Sequence, residues 1–390
     1  MPSEANVSVL GANNRAFAFD LYHQLASAQP DKNLLFSPYS ISTALAMAYA
    51  GARGTTASEM KATLHFELED APLHEAFNAT DLRLRSRAQG QAGAAGTPFQ
   101  LNVDNALWTQ ADGLIEPQFL DTLAVNYDAG AFSLDFLSDP EGSRQTINRW
   151  VDDRTHHLIA ELLPASSITS LTRLVLTNTV YFDAGWQTPF TENLTADAPF
   201  TRLDSSTATV SMMRATLTIP SARGDGFQAI ALPYSNSALR FIAILPDVGA
   251  HPKVEAALSG AWFDALHAGW ADQQLSVSLP KLDYGAKTTL NEPMKKLGTN
   301  DAFSDATADF TGIARGPKLF ISGIFHQASL RATESGTVAS AATGVVIATR
   351  HATVMDAARI VFDRPFFLAI VDEPTGTILF LGRVLDPTVK

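Results

Sequence analysis

The 390-residue chain contains no cysteine, so disulfides and thiol catalysis are excluded. A chain of this size needs no covalent staple, and the absence therefore leaves its compartment open. No run of about 20 uncharged apolar residues occurs, so no membrane insertion is expected. Met1 to Asn6 lacks a basic region followed by an apolar run, so no signal peptide is expected in the sequence as it stands. The location stays open: extracellular or periplasmic if a signal peptide was removed, otherwise cytoplasmic. Basic residues are the minority charge: 28 Lys and Arg against 40 Asp and Glu, a net charge of −12. This balance argues against nucleic acid or an anionic membrane as the main partner. A local basic cluster stands at Arg83, Arg85 and Arg87. Its spacing by two suggests a strand or loop edge, and it is read as solvated surface rather than a polyanion site.

Catalytic signatures are missing as well. There is no His-Glu-x-x-His pattern, no phosphate-cradling Gly-Lys-Ser/Thr loop and no Gly-x-Ser-x-Gly elbow. His156 and His157 with Glu161 form the nearest metal-like group. On a helix His157 and Glu161 would share a face, but a third ligand is lacking, and a solvated helix end is the reading taken. His326, in an apolar strand-like run, reads as a hydrogen-bonded core residue. Ser37, Ser40 and Asn178 are polar groups beside apolar runs that need partners if buried. No nucleophile is paired with a base, so no enzyme, metal or cofactor is expected.

What is present is an unusual run near the C-terminus, Glu334-Ser-Gly-Thr-Val-Ala-Ser-Ala-Ala-Thr343. It has no proline, and no charge follows Glu334 until Arg350. On a strand, Thr337, Ala339, Ala341 and Thr343 share one face, and Val338, Ser340 and Ala342 the other. Such a segment can slip between existing strands without a steric clash or a buried charge.

Hydrophobic spacing predicts helices over 14–29, 41–51 with Ser40 as N-cap, 58–64, 115–127, 143–163, 252–266 and 290–297. Residues 86–97, rich in Gly, Ala, Gln and Ser, read as a loose connection. Strands are predicted over 101–108, 174–182 (buried on both faces), 208–219, 226–233, 239–245, 275–283, 359–371 and 377–384. Helices come first and strands mostly later, which suggests an α+β fold with large mixed sheets. Apolar segments continue to residue 384, so one interlocked domain over 1–390 is expected.

The chain resembles the serpin family over nearly its full length. The segments that carry the resemblance include Asn33-Leu-Leu-Phe-Ser-Pro-Tyr-Ser-Ile41, Ile147-Asn-Arg-Trp-Val151, Thr177-Asn-Thr-Val-Tyr-Phe182 running to Trp186, and Leu279-Pro-Lys281. Further ones are Ala308-Asp-Phe-Thr-Gly-Ile313, Ile321 to His326, Asp363-Arg-Pro-Phe366 and Phe380-Leu-Gly-Arg-Val-Leu-Asp-Pro387. Each is weak alone; together, in order, they are specific. The resemblance implies three β-sheets, eight or nine helices and an exposed reactive-centre loop at about 334–358. It implies an irreversible suicide-substrate inhibitor: a serine protease attacks the loop, forms an acyl-enzyme, and is trapped as the cleaved loop enters the main sheet.

The implied hinge comprises Glu334, Gly336, Thr337, Ala339, Ala341, Ala342 and Thr343. Val338 and Ser340 depart from the common acidic residue and alanine. The implied scissile bond joins Arg350 to His351, fourteen residues past the hinge glycine. The stretch from Arg350 to Phe362 is a few residues longer than in many relatives, so Met355 and Arg359 are alternative positions. Arginine at the bond implies a trypsin-like serine protease, held as a covalent complex. His326, Ser37, Ser40 and Asn178 match a buried polar cluster that gates sheet opening, and Trp186 stands near where the loop first enters. The protein is expected to be a monomer able to polymerise. A non-inhibitory chaperone or ligand carrier, or an inhibitor of a cysteine protease, is the alternative.

Overall fold

The computed structural model describes residues 3–87, 100–155, 157, 159–235, 238–316, 318–337 and 357–389. Among them are nine helices: α1 (Glu4–Ala28), α2 (Pro38–Tyr49), α3 (Gly54–Thr63), α4 (Asp70–Arg87), α5 (Pro117–Tyr127), α6 (Pro140–Arg154), α7 (His251–Ala257), α8 (Gly260–Ala268) and α9 (Asn291–Leu297). The strands, in chain order, are β1 (Leu34–Phe36), β2 (Gln100–Gln110), β3 (Leu114–Ile115), β4 (Ala131–Leu134), β5 (Leu174–Gly185), β6 (Ala196–Thr201), β7 (Thr207–Gly224), β8 (Phe227–Pro233) and β9 (Leu239–Pro246). They continue with β10 (Ala271–Pro280), β11 (Leu282–Thr289), β12 (Ala314–Arg315), β13 (Ile321–Ala332), β14 (Gly336–Thr337), β15 (Ala358–Val361), β16 (Phe366–Asp372) and β17 (Thr377–Val384).

These strands make three sheets. A six-stranded sheet runs β11-β13-β14-β5-β2-β4, a nine-stranded one runs β1-β17-β16-β9-β8-β7-β10-β15 with β6 on β7, and β12 pairs β3. The α+β class and the sheet and helix numbers agree with expectation. β5 is buried on both faces, as its unbroken apolar run requires: Leu176, Val180 and Phe182 join the main core, while Val175 joins a second cluster on the other side.

Several boundaries differ from the sequence reading. Helix α1 starts ten residues earlier, capped by Ser3 and carried by Val7 and Leu10. Ser37, not Ser40, caps α2; its side chain accepts from the backbone of Ser40, and Pro38 holds the first turn. Arg83, Arg85 and Arg87 lie on a helix, not a strand or loop edge. The apolar stripe Leu73, Ala76, Phe77, Leu84 sets the period of α4. Each arginine meets a carboxylate: Arg83 with Glu4, Arg85 with Asp81 and Asp128, Arg87 with buried Asp372. Helix α6 stops at Arg154, and His157 follows with a left-handed backbone, φ 63°. The 252–266 helix is two helices, because Ser259 caps a fresh start at α8. Residues 88–97 of the loose connection lie outside the described residues.

Candidate functional site

Four elements bring one polar cluster together under the centre of the six-stranded sheet. In the parallel ladder of β5 and β13, Asn178 stands opposite His326. In the antiparallel ladder of β2 and β5, Asn105 stands opposite Asn178. The N-terminus of α2 supplies Ser37 and Ser40. The Ser37 backbone N–H donates to His326 Nε2 at 3.0 Å, so that nitrogen carries no proton. His326 Nδ1–H then donates to Asn178 Oδ1. Asn178 Nδ2 donates to Ser40 Oγ and to Asn105 Oδ1. Burial pushes the His326 pKa down to about 3, so the ring is neutral at ordinary pH. The predicted members Ser37, Ser40, Asn178 and His326 therefore do meet. Asn105 was missed. Its signal lay in the alternation of β2, where it shares a face with Val103 and Leu107.

Trp186 does not join that cluster. It stands just past the end of β5, eight residues beyond Asn178 and roughly 26 Å away at strand rise, where it contacts the segment that leads into β14. Its ring Nε1 donates to Thr333 O and its backbone N–H to Ser335 O, both at 2.9 Å. It stacks on Tyr234 at 4.8 Å, and the Tyr234 hydroxyl bonds Thr337 Oγ1 at 2.7 Å. Glu334 is buried where the chain turns. Burial alone would raise its pKa, but Lys281 Nζ at 2.9 Å and Thr195 Oγ1 at 2.7 Å hold the carboxyl below its usual range.

Gly336 and Thr337, as β14, lie between β13 and β5. Gly336 pairs Gly185, Thr337 pairs Ala184, and Thr337 also pairs Ala332. Thr337 faces inward and is fully buried, as its expected face requires. A Cβ on Gly336 would stand 2.2 Å from Ala184 O, so no larger residue fits without moving the strand. Below this point β13 and β5 pair directly, from Ile321↔Leu174 to Ala328↔Val180. The seam is therefore closed except where the hinge holds it open. Ala339, Ala341, Ala342, Thr343, Arg350 and His351, with Val338, Ser340 and Met355, lie outside the described residues.

The metal-like pairing of His157 with Glu161 does not form. His157 Nδ1 meets Asp152 at 2.8 Å, and Glu161 meets Arg144 at 2.9 Å. The helix ends before both, so the four-residue spacing no longer places them on one face.

The family profile described as Serpin (serine protease inhibitor) matches residues 12–387. An uncharacterized serpin-like protein of Thermococcus kodakarensis is 37% identical over 95% of this chain and 84% of its own. Leukocyte elastase inhibitor of Bos taurus is 35% identical over 97% of this chain and 99% of its own. The solved structure of human thyroxine-binding globulin with thyroxine superposes with a TM-score of 0.86 at 29% identity, over 98% of this chain and 100% of that one. Matched from end to end by the profile and by relatives of this identity, the chain belongs to the serpin family.

Proposed function

We propose that the chain is an irreversible inhibitor of trypsin-like serine proteases, consumed by cleavage after Arg350 and by insertion of the freed segment into the six-stranded sheet. The observation that carries this reading is the register of the seated hinge. Thr337 is opposite Ala184 on β5 and opposite Ala332 on β13. Extending both antiparallel ladders by six residues puts Thr343 opposite Asn178 on one side and His326 on the other. Those two residues are already partners across the closed seam. One inserted strand therefore satisfies both neighbours in a single register.

Insertion replaces one parallel ladder by two antiparallel ones, which are slightly more stable per residue. Each added backbone hydrogen bond contributes about 1 kcal/mol net. Ala339, Ala341 and Thr343 share the inward face of Thr337 and bring no charge into the core. Arg350 suits a protease whose pocket carries a carboxylate. Arg359 suits it less, because β15 holds it in a parallel ladder opposite Ser276, whereas a protease cleft needs a free extended backbone. The name of the relative, leukocyte elastase inhibitor, supports inhibition as such. A carrier reading has support from thyroxine-binding globulin, but a hinge of small, uncharged inward residues favours the inhibitor. The slot held open beside β14 also offers a second copy a place to add a strand, which is the route to polymers in this reading.

The test is a titration of trypsin activity with the protein. Activity that falls to zero near equal amounts supports trapping. Full activity alongside a cleaved chain contradicts it.

A further inference from the structure

The connection after α6 lies across the outer face of the closed seam. Its Ile159, Leu162, Leu163 and Ile168, with Ile147 and Val151 of α6, pack with Trp108 of β2, Val175 of β5 and Phe325 of β13. Val175 and Phe325 belong to the two strands that part when a new strand enters. The cover therefore spans the gap that insertion has to open, and this inference rests on the insertion reading above.

The cover is tied on both sides of the seam. On the near side, Arg144 Nη1 donates to Glu161 Oε1 and to Leu163 O, each at 2.9 Å. Asn148 Oδ1 accepts from the backbone of Leu162 and Leu163 at 3.1 and 2.8 Å, and its Nδ2 donates to Leu163 O at 2.9 Å. Helix α6 is in turn fastened to β2 and β4. Trp150 packs edge-on to Trp108 at 5.6 Å and tilts against Phe132 at 6.2 Å, and Arg154 donates to Asp104 at 3.3 Å. On the far side, Lys287 of β11 donates from Nζ to the Glu161 carbonyl oxygen. Lys287 stands opposite Gln327 of β13, so it moves with that half of the sheet.

A strand inserted between β5 and β13 moves the halves apart by about 4.8 Å. No hydrogen bond survives that stretch. Either Lys287 lets go of Glu161 or α6 leaves β2. The first breaks one hydrogen bond made by an exposed side chain and the packing of the cover on Phe325; the second breaks the packing of Trp150 on Trp108 and Phe132 together with the ion pair of Arg154 and Asp104. On the same outer face of the two strands as Val175 and Phe325, Thr179 Oγ1 and Gln327 Oε1 are buried without a hydrogen-bond partner among the described residues, and the two residues are opposite each other across the seam. Lifting the cover returns both groups to water, which favours opening. We propose that the tie from Lys287 to the Glu161 carbonyl is a brake on insertion. Lys287 is thus a positioning residue that sets how the reaction divides between trapping and release of the protease.

The experiment uses the intact protein and a fluorescein-labelled synthetic peptide of residues 337–349, with no protease present. Lys287→Met keeps the side-chain stem and removes the donor. It should take up the peptide about two- to tenfold faster than the parent, the range expected for one hydrogen bond. Lys287→Arg, which keeps a donor, should retain the parent rate. The peptide-loaded forms of parent and Lys287→Met should melt at the same temperature, because the tie is already broken in both. A purely structural role would lower both melting points. Equal uptake by parent and Lys287→Met overturns the brake while leaving the insertion reading intact. If no form takes up peptide, and trypsin-cleaved parent is no more heat-stable than intact parent, the insertion reading falls and the brake with it.

Discussion

The backbone N–H of Ser37 and Nε2 of His326 are joined by a 3.0 Å hydrogen bond that an imidazolium could not accept. Burial pushes the ring pKa down to about 3, whereas a histidine in an unfolded chain titrates near ~6.5. Between these values the unfolded state binds more protons, so the native state loses stability as pH falls through that window. His74, buried with its pKa near 4, acts with the same sign. The urea midpoint of the parent should therefore fall between pH 6.5 and 4. His326→Gln should show a shallower fall over the same range. Parallel curves would contradict the assigned neutral tautomer.

Glu334 and Lys281 close the turn into the hinge. The Glu334 pKa is held below its usual value, so its contribution is present above the ordinary carboxylate range and is lost as pH falls through the folded value. Lys281 is partly solvated, so the pair is worth about 1 kcal/mol. Glu334→Lys should lower the melting temperature and loosen the hinge. The double change Glu334→Lys with Lys281→Glu should recover most of the loss, a coupling that a double-mutant cycle measures directly.

Gly336 is set against Ala184 so closely that a methyl group has no room. Gly336→Val should expel β14 from the sheet. Cleavage by trypsin should continue at a similar rate, while several molecules of inhibitor are spent for each protease trapped. Counting inhibitor consumed per protease inactivated checks this.

Strand parity supplies a sharper pair of variants. Thr343 shares the inward face of Thr337, while Ser340 falls on the outward face, opposite exposed Ser329 in the extended register. Thr343→Arg should abolish the covalent complex and leave cleavage intact. Ser340→Arg should trap nearly as well as the parent. Equal loss in both would refute the register.

Much of this was readable in the sequence because the relevant signals are local. The apolar run of β5 announced a strand buried on both faces, and Gly336 and Thr337, the first of the run of small residues, lie between two strands of the sheet. The cluster members Ser37, Ser40, Asn178 and His326 were legible as polar groups in apolar surroundings. Asn105 was not, since one polar residue in an alternating strand carries no label until its register with Asn178 is known. The α4 arginines were misread because their spacing by two outweighed an apolar stripe that begins ten residues earlier. The end of α6 was misplaced because apolar residues recur after Arg154, at Ile159, Leu162 and Leu163; they pack as a cover on the sheet and not as more helix. The Lys287 tie joins a side chain to a backbone carbonyl 126 residues away, which no local pattern encodes.

The central claim is that cleavage after Arg350 becomes a trap. Its most direct measurement is denaturing electrophoresis of a near-equimolar mixture with trypsin, with the released peptide identified by mass spectrometry. The account predicts a covalent band at the summed mass and a peptide that begins at His351. Cleaved protein with free trypsin and no such band, or a peptide that begins elsewhere, would contradict it.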